Sequence, residues 1–205
     1  MNVRTENAYL TTTGGKVWPA ARSMFKLVEE KVVEALENRG KQTPLRILEL
    51  GSGCGWLGMN VCARFGSSVE VVMTEQENGG ACEWLQHNLS LNPHIKNASV
   101  RALDWSCVDD WFKDQSWDML IGSELVYSPI TCQLLPDCVS IIASGPVPFY
   151  YAHNLNRFEI LDIELVERFQ NKGFSVSALL GDSLPTILND VLFADLKLEI
   201  FSIQR

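Results

Sequence analysis

The stretch Ile47-Leu48-Glu49-Leu50-Gly51-Ser52-Gly53-Cys54-Gly55 joins a short apolar run to three alternating glycines. An apolar run that ends in glycines predicts a buried strand followed by a sharp turn. The residues after the turn, Gly55 to Phe65, carry apolar side chains at helical spacing. We therefore expect a strand, a tight turn and a helix in direct succession, which is the unit from which parallel α/β sheets are built.

The remainder of the chain continues this alternation of strands and helices. After a first strand at Arg46–Leu50, strands are predicted at Val69–Thr74, Val100–Leu103, Trp117–Gly122, Pro148–Ala152, Phe174–Leu180 and Val191–Ile203. Helices are predicted at Trp18–Leu36, Gly55–Phe65, Cys82–Leu91, Ile130–Ala143 and Phe158–Lys172. The pattern indicates an α/β fold with a Rossmann-like, seven-stranded, mostly parallel twisted sheet, helices on both faces and an antiparallel C-terminal strand. We expect one domain over residues 1–205, with residues 1–16 as an N-terminal extension.

The composition of the chain limits its expected cellular location and its expected partners. The chain has 205 residues, of which 46% are hydrophobic, and a net charge of −8. No apolar stretch approaches the ~20 residues that a membrane-spanning helix needs, and the polar N-terminus does not resemble a secretory signal. Six scattered cysteines suit reduced thiols, and neither they nor the three histidines are spaced for zinc. We expect a cytoplasmic or nuclear monomer with no nucleic-acid or membrane partner, whose negative charge would attract a basic protein.

The glycine turn is compatible with more than one ligand. Gly53-x-Gly55-x-x-Gly58 matches the fingerprint of dinucleotide-binding proteins, although that fingerprint alone is weak. The preceding Glu49 and the alternating glycines instead resemble motif I of the class I methyltransferases, where the loop passes the amino-acid end of S-adenosylmethionine. A tight turn that binds nothing is the third interpretation, and three glycines within five residues make it the weakest.

Two later positions also favour a nucleotide-like cofactor. Glu75 ends the second predicted strand, 24 residues after Gly51, where a carboxylate can accept hydrogen bonds from both hydroxyls of a ribose. Both NAD and S-adenosylmethionine contain that ribose, so Glu75 does not choose between them. Trp105 follows the third predicted strand, where an aromatic ring can border an adenine, although core packing is the ordinary role of a tryptophan.

Several short motifs, in order, resemble the family 16 seven-strand methyltransferases, the protein-lysine methyltransferases related to the calmodulin, chaperone and elongation-factor enzymes. The resemblance covers roughly Trp18 to Phe174. The matching segments are Val17-Trp18-Pro19-Ala20-Ala21, Ile47 to Gly58, Thr74-Glu75, Leu103-Asp104-Trp105 and Asp118 to Tyr127.

The resemblance implies S-adenosylmethionine as the cofactor and assigns residues to it. Trp18 would close over the cofactor, Glu75 would hold the ribose, and Ser123 would contact the cofactor after the fourth strand. The full set of implied cofactor-binding residues is Trp18, Glu49, Gly51, Ser52, Gly53, Gly55, Glu75, Gln76, Trp105 and Ser123.

The resemblance also implies a catalytic pair. Glu124-Leu125-Val126-Tyr127 stands where the family commonly has Asp-x-x-Tyr, so the acid here is one methylene longer. For a lysine acceptor, Glu124 would orient the amine and Tyr127 would offer a ring face to it. His153, after the fifth predicted strand, is a further candidate at the rim, although a lone histidine there is more often structural.

Other functions remain open at this point. The acceptor could be an arginine, a histidine or a small molecule, whereas amino methylation of a base or of glutamine is disfavoured because no Asn-Pro-Pro-Tyr or Asp-Pro-Pro-Tyr element follows the fourth strand. A nicotinamide-dependent oxidoreductase and a non-catalytic scaffold are the alternatives from other classes. We expect an enzyme that methylates a lysine of a protein substrate.

Overall fold

The computed structural model describes residues 1–4, 15–39, 43–155, 159–180 and 197–205. Its helices are α1 (Pro19–Arg39), α2 (Trp56–Phe65), α3 (Ala81–Ser90), α4 (Asp110–Lys113), α5 (Pro129–Ile142) and α6 (Glu159–Asn171). Its strands are β1 (Leu45–Leu50), β2 (Val69–Glu75), β3 (Ala98–Ala102), β4 (Met119–Ser123), β5 (Phe149–Leu155), β6 (Ser175–Ala178) and β7 (Lys197–Gln204). Among these residues, no helix is both long enough and apolar enough to cross a membrane.

The seven strands form one sheet in the order β3-β2-β1-β4-β5-β7-β6. Strands β1 to β5 pair in parallel, and β7 is antiparallel to both of its neighbours, β5 and β6. This confirms the predicted fold, and it places the reversed C-terminal strand inside the sheet with β6 at the edge. The strand order changes direction between β1 and β4, so the carboxyl ends of these two strands flank the crevice in which open α/β sheets bind ligands.

The sheet is buried on both faces because each strand supplies alternate side chains to two separate clusters. From β1, Leu48 and Leu50 enter the cluster that lies under α4, α5 and α6. Ile47 of the same strand enters the opposite cluster, beneath α1, α2 and α3. A strand buried on both faces is expected to be continuously apolar, which is the pattern that first marked β1 in the sequence.

Helix α1 packs against the sheet through apolar residues at helical spacing. Its buried residues include Ala21, Met24, Val28 and Val32, which recur at helical spacing along one face. The helix continues to Arg39, three residues beyond the predicted end. Residues 40–42, which follow the helix, lie outside the described part.

Three further differences concern the later elements. Strand β5 extends to Leu155 instead of Ala152, which brings His153 and Asn154 into the sheet. Helix α4 was not predicted; it is four residues long, and its N-cap Asp109 accepts a hydrogen bond from the Trp111 amide at 2.7 Å. The predicted strand Val191–Ile203 is described only from residue 197 onward, and its first part lies outside the described residues.

Candidate functional site

The glycine turn after β1 is shaped for close approach by other groups. Gly51 has a φ of +58°, a backbone conformation that side chains disfavour. A Cβ atom at Gly51 would lie 2.6 Å from Cδ2 of Leu125, so a larger residue would collide with the turn that follows β4. The Ser52 amide donates to the Thr74 carbonyl at 2.8 Å and ties the turn to β2. The positive φ therefore favours glycine at Gly51, and a larger residue would also have to displace the Leu125 side chain.

Two glutamates accept hydrogen bonds from amides in and after the turn. Oε1 of Glu75 accepts from the Gly53 amide at 2.8 Å, and its Oε2 accepts from the Gln76 amide at 3.2 Å. Burial raises the pKa of Glu75 above its ordinary value. A carboxylate fixed by backbone amides at the end of β2 keeps further lone pairs that can accept from the hydroxyls of a ligand.

The second glutamate, Glu49, lies deeper in the protein. It is only 3% exposed, and its Oε2 accepts from the Gly58 amide of α2 at 3.1 Å. Burial raises the pKa of Glu49 to about 8, and the bond from Gly58 opposes that rise. A Cβ at Gly58 would lie 2.5 Å from the same oxygen, so a glycine lets α2 approach the carboxyl group.

Asn88 on α3 supports the same turn, and nothing in the sequence singled it out. This fully buried amide donates from Nδ2 to the carbonyls of Cys54 and Arg4, and its Oδ1 accepts from the Arg4 amide. It thus joins the glycine turn to the N-terminal segment. An asparagine spaced among apolar helix positions gave no signal that its amide would be buried.

The turn after β4 has the most constrained backbone in the site. Glu124 has a φ of +54°, and it is the only non-glycine residue with positive φ in the described part of the chain. Such a conformation costs energy and persists only where the surroundings enforce it. Here the Glu124 amide donates to the Ala152 carbonyl at 2.9 Å, and Oε1 accepts from the amide and from Nδ2 of Asn154 at 2.8 and 2.9 Å. Strand β5 therefore fixes both the backbone and the carboxylate of Glu124.

The turn continues into helix α5 through a cap that the sequence partly encodes. The Ser128 side chain accepts from the Thr131 amide, Thr131 Oγ1 accepts from the Ser128 amide, and Pro129 occupies the first turn. This reciprocal pair anchors the start of the helix. Tyr127, directly before the cap, is 45% exposed at the mouth of the site.

These elements enclose one cavity of about 330 Å³ at the carboxyl ends of the strands. Its volume lies at the lower end of the range for small-molecule sites. Of the residues that the resemblance assigns to the cofactor or to catalysis, all but Gly55 contribute to its wall, namely Trp18, Glu49, Gly51, Ser52, Gly53, Glu75, Gln76, Trp105, Ser123, Glu124 and Tyr127. Lys16, Val17, Asp104, Ile130 and Leu134 also line it, and of these only Val17 and Asp104 belong to the matched motifs.

Two residues that the sequence singled out, Gly55 and His153, lie away from the cavity wall. Gly55 does not line the cavity; a Cβ there would lie 2.6 Å from Leu85 and 3.1 Å from Met59, so this glycine permits packing between α2 and α3. His153 is 1% exposed and does not reach the cavity, because its ring lies between Tyr151 and Asp162. The interpretation of His153 as structural is the one that agrees with its burial.

The fold and the site together define a class of protein. A seven-stranded sheet with a reversed seventh strand between β5 and β6, and a ligand cavity at the β1/β4 switch point, is the arrangement of the class I methyltransferases. Residues 1–159 match the model of a family described as lysine methyltransferase, and the chain belongs to that family.

A relative of this chain agrees with this placement. The protein N-lysine methyltransferase METTL21A of Danio rerio is 30% identical over 132 residues, which are 63% of this chain and 55% of that protein. The match thus spans about half the length of that relative.

Solved structures share the fold at low identity. The CurJ carbon methyltransferase has a TM-score of 0.65 at 13% identity, covering 96% of this chain and 56% of that one. The magnesium protoporphyrin IX methyltransferase ChlM of Synechocystis PCC 6803, solved with bound SAH, has a TM-score of 0.54 at 11% identity, covering 91% and 85%.

Proposed function

We propose that this protein is an S-adenosylmethionine-dependent methyltransferase that transfers a methyl group to the side-chain amine of a lysine in a protein substrate. The observation that carries the proposal is one cavity whose wall joins the glycine turn, Glu75 and Trp105 to the Glu124–Tyr127 turn. The family of the chain and its relative METTL21A support the choice of acceptor.

The residues that line the cavity suit S-adenosylmethionine. The ribose hydroxyls can donate to Glu75, the adenine can lie against Trp105, and the amino-acid end can pass the turn at Gly51 and Gly53. When bound, this cofactor supplies an activated methyl group on a sulfonium. The SAH in the Synechocystis structure of the same fold supports this choice. The ribose of NAD would bind Glu75 equally well. The choice of S-adenosylmethionine over NAD therefore rests on the family and on the Glu124–Tyr127 turn.

The acceptor amine must be neutral to react, whereas its ordinary pKa is about 10.4. A partly dehydrated cavity lowers that pKa, because burial disfavours the charged form. Glu124 acts in the opposite direction on the pKa, since a carboxylate favours the ammonium form. Its role is therefore to orient the amine by accepting a hydrogen bond, and the exposed ring of Tyr127 can face the cation as it arrives.

Charge at the cavity supports a basic partner. Among the described residues, the wall carries one cationic side chain, Lys16, and four acidic residues, Glu49, Glu75, Asp104 and Glu124. The Asp104 pKa is lowered by hydrogen bonds from the side chain and the amide of Ser106, which keeps this rim group ionised. A lysine-bearing segment is thus drawn to the mouth, and the chain's net charge of −8 acts in the same direction.

The proposal also covers the cellular compartment and the oligomeric state of the protein. All six cysteines are described, and each is a free thiol, which suits a reducing compartment such as the cytoplasm or nucleus. We retain the monomer as the working state, with no nucleic-acid or membrane partner.

The proposal is tested by separating cofactor binding from turnover. Calorimetry of the wild type should show micromolar binding of S-adenosylmethionine and none of NADH; the reverse result would overturn the proposal. Glu124→Gln preserves size but weakens the acceptor, so it should lower turnover with little change in cofactor affinity. Glu83→Gln, on the exposed surface of α3, removes the same formal charge away from the cavity and is the matched control. Unchanged turnover in Glu124→Gln would refute the role of Glu124.

A further inference from the structure

A row of three side chains, two of them fully buried and the third largely buried, lies behind the Glu124 turn. Tyr151 and His153 project from the same side of β5, and Asp162 on α6 contacts His153. Tyr151 Oη lies 2.9 Å from His153 Nδ1, and His153 Nε2 lies 2.7 Å from Asp162 Oδ1. Tyr151 and His153 are 0% and 1% exposed. None of the three lines the cavity, so the row cannot act on a ligand by contact.

Tyr151, at one end of the row, is hydrogen-bonded to the turn itself. Tyr151 Oη accepts hydrogen bonds from the amides of Leu125 and Val126 at 3.2 and 3.1 Å. These amides immediately follow Glu124, whose backbone has the positive φ. The same strand binds the Glu124 carboxylate through Asn154. The turn is thus held at successive residues by groups from β5.

The donors and acceptors in the row fix the direction of each hydrogen bond. A tyrosine hydroxyl can accept two hydrogen bonds and donate one. Because two amides occupy Tyr151 Oη as an acceptor, its proton is directed to His153 Nδ1. Nδ1 must then be the unprotonated nitrogen, so Nε2 carries the ring proton and donates it to Asp162. Burial, with the nearby charge of Glu124, raises the pKa of Tyr151 well above its ordinary value and keeps the hydroxyl protonated.

We infer that Tyr151, His153 and Asp162 are positioning residues that hold the Glu124–Tyr127 turn in its active conformation through a neutral, Nε2-protonated His153. This inference rests on the proposed function, since it assigns the turn to orientation of the acceptor amine. Each side chain has a separate role. Tyr151 binds the turn, His153 orients the Tyr151 hydroxyl, and Asp162 fixes the tautomer of the His153 imidazole.

The first test concerns the imidazole alone and requires no activity. Nitrogen chemical shifts of His153 in the isotopically labelled wild-type protein at neutral pH should identify Nδ1 as unprotonated and Nε2 as protonated. An Nδ1-protonated ring or an imidazolium would overturn the inference, because the Tyr151 hydroxyl would then have no acceptor. Amide hydrogen exchange at Leu125 and Val126 should accelerate in Tyr151→Phe and remain unchanged in Tyr150→Phe.

The second test compares kinetic constants in matched variants. Misplacement of a catalytic group by about 1 Å can cost about 100-fold in rate, so Tyr151→Phe should lower kcat by ~10- to 100-fold. Cofactor affinity and the KM for the protein substrate should change less than the rate does. Tyr150→Phe is the control, because it removes a hydroxyl from the neighbouring residue of β5, which belongs to the cluster on the opposite face.

Conservative variants separate positioning from general stability. His153→Asn retains an acceptor near the position of Nδ1 and should keep more turnover than His153→Leu, which retains none. Asp162→Asn still offers an oxygen to Nε2–H and should keep more turnover than Asp162→Ala. The inference would be overturned if turnover fell equally in both members of each pair. It would also be overturned if the loss of turnover followed only the fall in melting temperature.

Failure of the inference and failure of the proposed function give different results. If the wild type binds S-adenosylmethionine and methylates no protein, the proposed function fails, while the ring shifts and amide exchange still report on the row. If the wild type is active and Tyr151→Phe retains its full kcat, the row is structural only and the proposed function stands.

Discussion

Replacement of Glu49 by glutamine should make the protein more stable at neutral pH and leave it unchanged in mild acid. Glu49 is buried beneath the glycine turn, and its pKa rises from 4.5 to about 8 in the folded state. Between these values the folded protein holds a proton that the unfolded chain has released, so the stability of the wild type falls as pH rises. Glutamine resembles the protonated acid in shape, and its amide oxygen can still accept from the Gly58 amide.

The size of the effect follows from proton linkage. One proton retained only in the folded state changes the free energy of unfolding by about 1.4 kcal/mol per pH unit. Between pH 5 and pH 7.5 the advantage of Glu49→Gln should therefore grow to about 3 kcal/mol. For a chain of this size that corresponds to roughly 10 °C in Tm.

The assay is thermal or urea unfolding of both proteins across this pH range, in the absence of cofactor. Glu83→Gln is the control for loss of one carboxylate, since Glu83 is exposed. Stability curves of the wild type and Glu49→Gln that run parallel from pH 5 to pH 7.5 would refute the reasoning. Such a result would mean that Glu49 keeps its ordinary pKa when buried.

Three further changes test other parts of the site. Glu75→Gln should weaken S-adenosylmethionine binding by ~10- to 100-fold in calorimetry, since hydrogen bonds to a charged group are worth about 1.5–3 kcal/mol; an unchanged Kd would contradict the ribose-binding role. Gly58→Ala should destabilise the protein by about 1–3 kcal/mol through overpacking against Glu49 and Met73, and unchanged urea unfolding would contradict that geometry. Asn88→Ala should cost about 1–3 kcal/mol because the carbonyls of Cys54 and Arg4 lose their donor, and an unaltered Tm would show that the amide contributes nothing.

The sequence predicted the site as far as local patterns determine it. The glycine turn, Glu75 and Trp105 each follow a strand whose apolar run is visible in the sequence, and parallel pairing brings strand ends together. Once the strands are recognised, the meeting of these residues at one edge follows from topology alone. For the same reason the turn at Glu124 joins the cavity.

The supporting contacts could not be predicted in the same way. Whether Tyr151 faces the Glu124 turn depends on the register between β4 and β5, and a shift of one residue would turn it to the opposite face. Likewise, His153 was predicted to follow the strand because β5 was predicted to end at Ala152, three residues before its observed end. Gly55 carries the same motif signal as Gly51, but only packing against Leu85 shows that it faces away from the cavity.

The most direct test of the proposed function is the chemical identity of the methylated product. The purified protein should be incubated with tritiated S-adenosylmethionine and cell extract, and labelled protein should then be hydrolysed for amino-acid analysis. We expect label in a discrete protein band that co-migrates with methyllysine after hydrolysis, and its loss with Glu124→Gln but not with Glu83→Gln. Label confined to nucleic acid, to small metabolites or to another amino acid would contradict the assignment of lysine as the acceptor.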